Sequence, residues 1–332
     1  MMKLPSGALA PMFRAFMDRR KFVFLGCFSF ERRCRAVVEV LGKKTSGCER
    51  AVMIEIASPK DAFPDYSATI KEKVERNVRE LRRRKYVFAH HPVDLLCGED
   101  VMLDLVDSIS GPRVSSVVLD ITCFPKRFFC FILKRLLISS RIENVLVTYS
   151  EVGSRGYALG HLAEDAMTCD YLPGFSGSFP PRGSTVAICA GFEALGMASL
   201  LEIFPEETRN MKLILAFPPN GPGTRRQWTT VRQLTYGRAR EIRREDVEVI
   251  AAWDAEQVYE TLHLWDEEQG GLTLAPFGPK PHTLGMALFA IEHEAALYYS
   301  QPKAYNPEYS KGYGTAWCYV AKWDGRAAYE VV

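Results

Sequence analysis

Two stretches of the chain, FLGCFSFERRCRAVVEVL at 24–41 and ICAGFEALGMASLLEIF at 188–204, follow the same plan. Each begins with a short apolar run typical of a buried strand and continues through a glycine and a Phe-Glu pair. Each then ends in a segment whose apolar residues recur at helical spacing. A strand that leads through a tight turn into a helix opens a βαβ unit, and such units build parallel sheets. The two stretches therefore predict an α/β fold with one such unit starting in each half of the chain.

The remainder of each half continues the alternation of strands and helices. Apolar runs predict strands at 22–25, 51–56, 86–89, 116–121 and 144–149, and again at 185–190, 212–217, 247–252, 271–275 and 315–321. Helical spacing predicts helices at 31–41, 68–84, 99–108 and 126–138, and again at 193–203, 224–240, 255–267 and 283–299. Each half thus has five predicted strands and four predicted helices.

A second motif also occurs twice, in VVLDITCFPKRFFCFIL at 117–133 and LTLAPFGPKPHTLGMALF at 272–289. In both, a Pro-Lys pair opens the helix after the fourth strand. The repeated motifs occur in the same order in both halves of the chain, which favours an internal duplication. We predict two tandem Rossmann-like lobes, each a mostly parallel five-stranded sheet with helices on both faces. The predicted boundaries are 1–160 for the first lobe, 161–183 for a linker rich in Gly and Pro, and 184–332 for the second lobe.

Composition excludes several classes of protein. The 332 residues are 47% hydrophobic and 25% charged with a formal net charge of +2, which excludes a disordered chain and any overall attraction to nucleic acid or anionic lipid. Nine cysteines without CxxC spacing, most of them in apolar runs, indicate buried free thiols in a reducing compartment rather than disulfides or a zinc site. Charged residues interrupt the N-terminal region, and no apolar run approaches membrane-spanning length. A cytoplasmic protein without a membrane segment is expected.

The repeated motifs locate the expected binding site. In sheets of this type ligands bind beyond the carboxyl ends of the strands, where the strand order reverses between the first and fourth strands. Glycine turns and helix N-termini there can face an anion, and a lysine at a helix start opposes the helix dipole, which suggests that it neutralises a bound anion. The predicted ligand-binding residues are Gly26, Ser29, Phe30, Glu31, Asp120, Thr122 and Lys126 in the first half, and Gly191, Phe192, Glu193, Asn220, Lys280 and His282 in the second.

The carboxylates leave two interpretations open. Glu31 and Glu193 could contact a ligand or could simply favour the dipole of the helix that follows. Asp120 could hold ribose hydroxyls, or it could cap the next helix together with Thr122. The second half has no acid at the position matching Asp120, so the two sites are expected to differ.

The run at 117–133, a strand followed by Asp-Ile-Thr-x-x-x-Lys and a helix, resembles the motif after the fourth strand of CARF domains, the Rossmann-like sensors of cyclic oligoadenylates in prokaryotic immunity. Two such lobes in one chain resemble a SAVED domain, a related sensor of cyclic nucleotides. Cys123, Phe124 and Pro125 stand where the family has glycines and a threonine. The resemblance implies nucleotide sensing in antiviral defence, with a protein partner of the same system.

Catalytic templates are missing from the sequence. It contains no GxSxG, Walker A, GxGxxG or HExxH motif, and its six histidines lack metal-ligand spacing, so neither a metal site nor a cofactor is predicted. The candidate catalytic residues are Asp120, Lys280 and His282, of which His282 is best placed for acid-base work or phosphate contact. Binding of a nucleotide or another phosphorylated small molecule is the main hypothesis. The alternatives are an enzyme that hydrolyses or transfers a nucleotide or nucleoside, and a scaffold for a protein partner.

Two further features are assigned to structural roles. The basic second helices, at 71–85 and 225–244, are expected to form solvated faces, which makes direct nucleic-acid binding less favoured. The aromatic-rich segment QPKAYNPEYSKGYGTAWCY at 301–319 is expected to form a packed loop at the sheet edge opposite the binding site, unless it wraps around. Stacking on bases, or a role as a lid or dimer contact, is the alternative for such a segment.

Overall fold

The computed structural model describes residues 5–18, 20–42, 47–59, 64–83, 87–109, 114–153, 156–157, 163–176, 185–191, 195–204, 210–217, 227, 229–232, 234, 243–308 and 310–329. The chain divides into two compact units. The first consists of Met1–Ala158 together with Lys303–Val332, and the second of Leu159–Pro302.

The secondary structure alternates along most of the chain. The strands are β1 Ser6–Ala8, β2 Phe22–Phe28, β3 Cys48–Ala57, β4 Ala89–Asp94, β5 Ser116–Asp120, β6 Asn144–Ser150, β7 Ala163–Ala166, β8 Asp170–Tyr171, β9 Thr185–Ala190, β10 Asn210–Phe217, β11 Val247–Ala251, β12 Leu272–Pro276, β13 Tyr298–Tyr299, β14 Pro302–Tyr305, β15 Ala316–Trp323 and β16 Arg326–Ala327. The α-helices are α1 Leu9–Met17, α2 Ala36–Leu41, α3 Pro64–Arg83, α4 Glu99–Ile109, α5 Lys126–Ile138, α6 Met197–Ile203, α7 Ala255–Gln269 and α8 Lys280–Glu292, with 3-10 turns at Arg32–Arg35 and Arg244–Asp246.

The first unit is built on a mostly parallel sheet with the order β1-β15-β6-β5-β2-β3-β4, and β16 pairs with β15. The five strands from β6 to β4 run parallel. Every residue of β2, β5 and β6 is buried, as expected for strands covered on both faces. In chain order these five strands read 3-2-1-4-5, so the direction of winding reverses between β2 and β5. The predicted α/β class with a mostly parallel sheet is confirmed.

The second unit contains a parallel sheet with the order β11-β10-β9-β12. This is the order 3-2-1-4, the same as that of β4-β3-β2-β5 in the first unit. The central strand β9 is buried throughout, and α7 and α8 flank β12 in sequence. The two units therefore share a strand order, while the duplication itself stays a prediction.

The strand predicted at 315–321 lies in the first sheet and not in the second. It is β15, which pairs antiparallel with β6 on one side and with β1 on the other. The sequence-based boundary assigned 184–332 to the second lobe, but the residues from Lys303 onward belong to the first unit. A physical reason is that β6 is fully buried and would otherwise present an unpaired sheet edge. The two larger described sheets have eight and four strands, where the prediction had five in each, and two further sheets of two strands are described besides them.

Several element boundaries differ from those predicted. The last helix predicted for the second half, 283–299, ends at Glu292, and its final two residues form β13. The helix predicted at 193–203 begins at Met197, and most of the one predicted at 224–240 lies outside the described residues. All nine cysteines carry free thiols, and six of them are buried. Among the helices described, none combines the length and the apolar character needed to cross a bilayer.

Candidate functional site

The loop that follows β2 lies where the strand order of the first sheet reverses. After Phe28 the chain bends and forms the 3-10 turn Arg32–Arg35, which leads into α2. The side-chain amide of Asn77, on α3, donates to the carbonyl oxygens of Ser29 at 2.8 Å and of Glu31 at 3.2 Å. Asn77 is itself buried. The loop is thereby attached to α3 through its backbone.

A buried ion pair lies within this loop. Arg33 donates to Oε2 of Glu31 from Nε at 3.0 Å and from Nη2 at 2.6 Å, and only 2% of Arg33 and 7% of Glu31 are exposed. Arg33 also donates from Nη1 to the carbonyl oxygen of Ser150 at 3.2 Å, which joins the loop to the end of β6. Burial by itself lowers the pKa of Arg33, but the charge of Glu31 raises it, and the net pKa lies well above its usual range. Glu31 therefore serves first as the counter-charge of a permanently charged arginine.

Asp120 and Thr122 form a hydrogen-bonded turn after β5. Oδ1 of Asp120 accepts hydrogen bonds from the Thr122 hydroxyl and, at 3.1 Å, from the Thr122 backbone N–H. The Thr122 hydroxyl oxygen accepts the backbone N–H of Ser150 at 2.9 Å, which links the ends of β5 and β6. Asp120 and Thr122 are thus bonded to each other within the turn, whereas α5 starts after Pro125 without a side-chain cap. Lys126, the first residue of α5, is also buried.

The segment that precedes β15 reaches the same edge of the sheet. The Ser310 hydroxyl donates to Oε2 of Glu31, and the backbone N–H of Gly314 donates to the carbonyl oxygen of Glu151 at 2.9 Å. The Tyr313 hydroxyl donates to Glu39, a bond that raises the pKa of Tyr313. The sequence placed this segment at the opposite edge, and the structure corrects that expectation. Because β15 runs antiparallel to β6, its first residues lie at the carboxyl ends of the parallel strands.

A cavity of about 860 Å³ lies beside this loop, between it, α3 and the segment before β15. Its lining includes five cationic side chains and two carboxylates, a local excess of three positive charges. The cations are Arg32, Arg35, Lys73, Arg76 and Lys311, and the carboxylates are Glu80 and Glu308. We refer to it below as the basic cavity.

The cations of the basic cavity differ in how far the protein neutralises them. Lys73 donates to Glu308 at 2.5 Å, and Arg76 pairs with a glutamate one turn away on α3. Arg35 is 6% exposed, and its nearest carboxylate oxygens lie at 3.7 and 4.0 Å. Within the part of the chain that the structure describes, Nε of Arg35 has no hydrogen-bond acceptor, and Arg32 and Lys311 have no carboxylate within 4.0 Å. The cavity thus retains unneutralised positive charge.

Gly26 has a different role from the one predicted. The sequence placed it at a strand-to-helix turn, but β2 continues to Phe28 and Gly26 lies inside it, opposite Met53 of β3. A Cβ at this position would lie 2.9 Å from Sδ of Met53. The glycine therefore allows close packing within the first unit and does not present amides to a ligand. The turn starts at Ser29, and the next residue, Phe30, lines the basic cavity.

The corresponding loops of the second unit are closely packed. A Cβ on Gly191, after β9, would lie 2.4 Å from the carbonyl oxygen of Phe277, after β12, so the two loops meet through their backbones. Three predicted residues, Phe192, Glu193 and Asn220, lie outside the described residues. Lys280 is the first residue of α8 and is partly buried.

His282 is fully buried in the first turn of α8. Its Nε2 lies 2.8 Å from the carbonyl oxygen of Ala251, and its Nδ1 lies 3.2 Å from Sγ of Cys189. The carbonyl oxygen can only accept, so Nε2 carries the proton and Nδ1 accepts from the thiol. Both ring nitrogens are bound to protein groups away from solvent. This environment does not favour the acid-base or phosphate-binding role predicted from the sequence.

The cations of the basic cavity were not among the predicted site residues. A usable signal existed in the sequence ERRCR at 31–35, where an arginine cluster directly follows the first strand. A second signal was the basic helix predicted at 71–85, which was expected to form a solvated face. Only the placement of both beside Lys311 makes them one site.

Comparison of the chain with protein-family models and with curated proteins finds no match. Among solved structures, it is similar to a crystal structure described as that of a universal stress protein from Pseudomonas aeruginosa UCBPP-PA14. The two are 10% identical, and the match covers 85% of this chain and 93% of that chain with a TM-score of 0.24. A TM-score this low supports no inference, so the fold assignment here depends on the strand order alone.

Proposed function

We propose that the first unit binds an anionic, phosphorylated small molecule of nucleotide size in the basic cavity. The observation that carries this proposal is the excess of positive charge in a cavity of about 860 Å³ at the carboxyl ends of the parallel strands. Cavities of several hundred to about 1,000 Å³ hold typical small ligands, and this edge of the sheet is where such folds bind them. A phosphate group would neutralise Arg32 and Lys311, which pair with no carboxylate among the described residues.

The lining residues divide into two chemical groups. Charge-assisted hydrogen bonds to phosphate oxygens come from Arg32, Arg35, Lys311 and the exposed Arg76, and the arginine guanidinium suits bidentate contact. Phe30 and Tyr313 supply aromatic surface on which a base can stack. The buried pair of Glu31 and Arg33 supports the loop and does not contact the ligand.

The cavity favours binding over catalysis. No histidine or cysteine occurs among its described lining residues, and each of its two carboxylates, Glu80 and Glu308, has a cationic neighbour. We therefore propose a sensing role, in keeping with the resemblance of 117–133 to CARF and SAVED domains. A cyclic oligonucleotide is then one candidate ligand, and an antiviral role in the cytoplasm with a protein partner is the corresponding context. The motif residues Asp120 and Thr122 bind each other, so the ligand would be held by the basic cavity instead.

The proposal is tested by isothermal titration of the full chain with mono-, di- and cyclic oligonucleotides and with inorganic pyrophosphate. Arg76 and Arg79 offer a matched pair of variants, because both are exposed on α3 and both pair with a glutamate four residues earlier. Only Arg76 lines the cavity. We expect Arg76→Gln to weaken binding by about tenfold, the loss of one charge-assisted hydrogen bond, and Arg79→Gln to leave it unchanged.

Two results would contradict the proposal. One is the absence of any ligand binding tighter than about 100 µM, equivalent to roughly 5.5 kcal/mol. The other is an equal effect of the two arginine variants, which would place the ligand elsewhere. Affinity should also fall as salt is raised, because Arg32 and Lys311 are exposed to solvent.

A further inference from the structure

Two histidines and a glutamate meet on the surface of the second unit, at the end of α8. His263 comes from α7, Glu292 is the last residue of α8, and His293 follows it directly. One ligand atom from each of the three lies within 4.8 Å of the others. Nε2 of His263 is 3.3 Å from Oε2 of Glu292, and Nε2 of His293 is 3.8 Å from the same oxygen.

These separations are close to those of a tetrahedral metal site. Zinc binds imidazole nitrogen at about 2.0–2.1 Å and carboxylate oxygen at about 2.0–2.2 Å, and adjacent ligand atoms of a tetrahedron are about 1.6 bond lengths apart, or about 3.3 Å. The pair of His263 and Glu292 matches this edge, and Nε2 of His293 lies about half an ångström farther from Glu292 than this edge requires, with all three ligand atoms within 4.8 Å of one another. Two neutral imidazoles and one carboxylate form a ligand set that suits zinc and its neighbours in the first transition row.

Neighbouring groups contact the side chains of Glu292 and His293. Nδ1 of His293 lies 3.6 Å from Oδ2 of Asp266, so its Nε2 is the nitrogen nearer Glu292. A carboxylate beyond the ligating imidazole is the usual outer partner of a metal-bound histidine. The Tyr259 hydroxyl donates to Oε2 of Glu292, and the ring of His293 stacks on Phe289 with centroids 4.3 Å apart.

We propose that His263, Glu292 and His293 bind a zinc-like divalent cation, with water in a fourth position. The side chains are 18%, 24% and 31% exposed, so an ion can reach them from solvent. The ion would join α7 to the end of α8. Sequence spacing did not predict this site, because 29 positions separate His263 from Glu292 and neither lies in a ligand motif. The proposal is independent of the basic cavity, which belongs to the first unit.

The test is titration of the chelator-treated full chain with Zn²⁺ against a chromogenic competitor, followed by substitution with Co²⁺. We expect one zinc site and visible Co²⁺ absorption of tetrahedral type without a thiolate charge-transfer band, since the nine free cysteines are the other possible ligands. His293→Gln and Glu292→Gln should each abolish this site. Asp266→Asn should weaken it by about 10–100-fold, the usual cost of losing an outer partner.

His90→Gln is the matched control, because His90 also pairs with a glutamate, Glu55, at 2.7 Å and is part of no three-residue cluster among the described residues. This variant should bind Zn²⁺ like the parent chain. Zn²⁺ should also raise the unfolding temperature of the parent and of His90→Gln but not of His293→Gln. Unfolding temperatures measured without metal verify that the variants fold. If His293→Gln does not fold, Glu292→Gln takes its place in the comparison.

Zinc affinity that is equal in the parent and in both site variants would overturn the proposal. A thiolate charge-transfer band that persists in His293→Gln would also overturn it, since the ion would then be bound by cysteine. The absence of a zinc site in the parent chain would overturn it as well.

Discussion

Replacement of Arg33 by methionine should destabilise the first unit severely. Methionine keeps much of the length and packing of the side chain but removes three hydrogen bonds, two to Glu31 and one to the carbonyl oxygen of Ser150. Glu31 is only 7% exposed, and it keeps the Ser310 hydroxyl as a donor but loses its counter-charge. Loss of one partner from a buried ion pair typically costs about 3–5 kcal/mol.

This cost converts into a measurable change of melting temperature. The first unit has about 190 residues, and for a domain of that size each kcal/mol shifts the midpoint by about 2–4 °C. We therefore expect Arg33→Met to lower the midpoint of this unit by about 10 °C. Unfolding followed by circular dichroism gives the midpoint. Backbone hydrogen exchange then shows whether the loss of stability lies in β2 and β5. The exchange of β9 and β12 in the second unit serves as an internal reference.

A double-mutant cycle separates the buried charge from the loss of packing. Glu31→Gln with Arg33→Met removes both charges, and we expect it to be more stable than Arg33→Met alone by at least about 1 kcal/mol. Arg79→Met is the control, because the exposed pair of Arg79 and Glu75 on α3 should contribute less than about 1 kcal/mol. The reasoning is refuted if Arg33→Met costs no more than this control, or if the double variant is no more stable than Arg33→Met.

Two further predictions concern residues of the second unit, and the second of them has its control in the first unit. Burial by itself raises the pKa of Asp246, but hydrogen bonds from Arg243 and Lys212 outweigh burial and leave that pKa below its usual range. The stabilising effect of the ionised Asp246 carboxylate is thus complete above about pH 4 and is lost as the pH falls through the lower, folded-state pKa. Asp246→Asn should therefore destabilise the chain at pH 7. The difference in unfolding free energy between the variant and the parent, measured by urea titration, should narrow below about pH 4. Gly191→Ala, whose Cβ would meet a backbone oxygen at 2.4 Å, should lower the free energy of unfolding by about 1–3 kcal/mol, as measured by thermal unfolding. Gly26→Ala should lower it by less, because its Cβ meets the end of a flexible methionine side chain. Equal losses of stability in the two variants would contradict this prediction.

The α/β class and many of the individual elements were predictable from local pattern. The strand at 185–190 and the helix at 126–138 have the predicted bounds, because a short apolar run and a Pro-Lys helix start are signals contained within the element itself. The last residues of β2 were harder, since Gly26 reads as a turn signal until the packing against Met53 is known.

Little of the composition of the candidate site was predictable from the sequence. Phe30 is the one residue predicted for the first half that is also among the described residues lining the basic cavity, and that lining includes no residue of the loop between β5 and α5. The proposed ligand-binding role of Glu31 and Asp120 stays a prediction, but both are bound to neighbouring side chains, Arg33 and Thr122. A partner two residues away is visible in the sequence, yet nothing in the sequence shows whether the two side chains turn toward each other or toward a ligand.

The amino-acid sequence by itself determined most of the longer strands and helices and their alternation, because hydrophobic periodicity and turn residues act over a few positions. Only the tertiary structure decided that β15 returns to the first sheet, where it carries Ser310 and Lys311 to the loop after β2. It likewise decided that His263 meets Glu292 and His293 across two helices. Such pairings depend on which buried edge or face remains to be covered once the local elements exist. That is a property of the whole chain and not of any one motif.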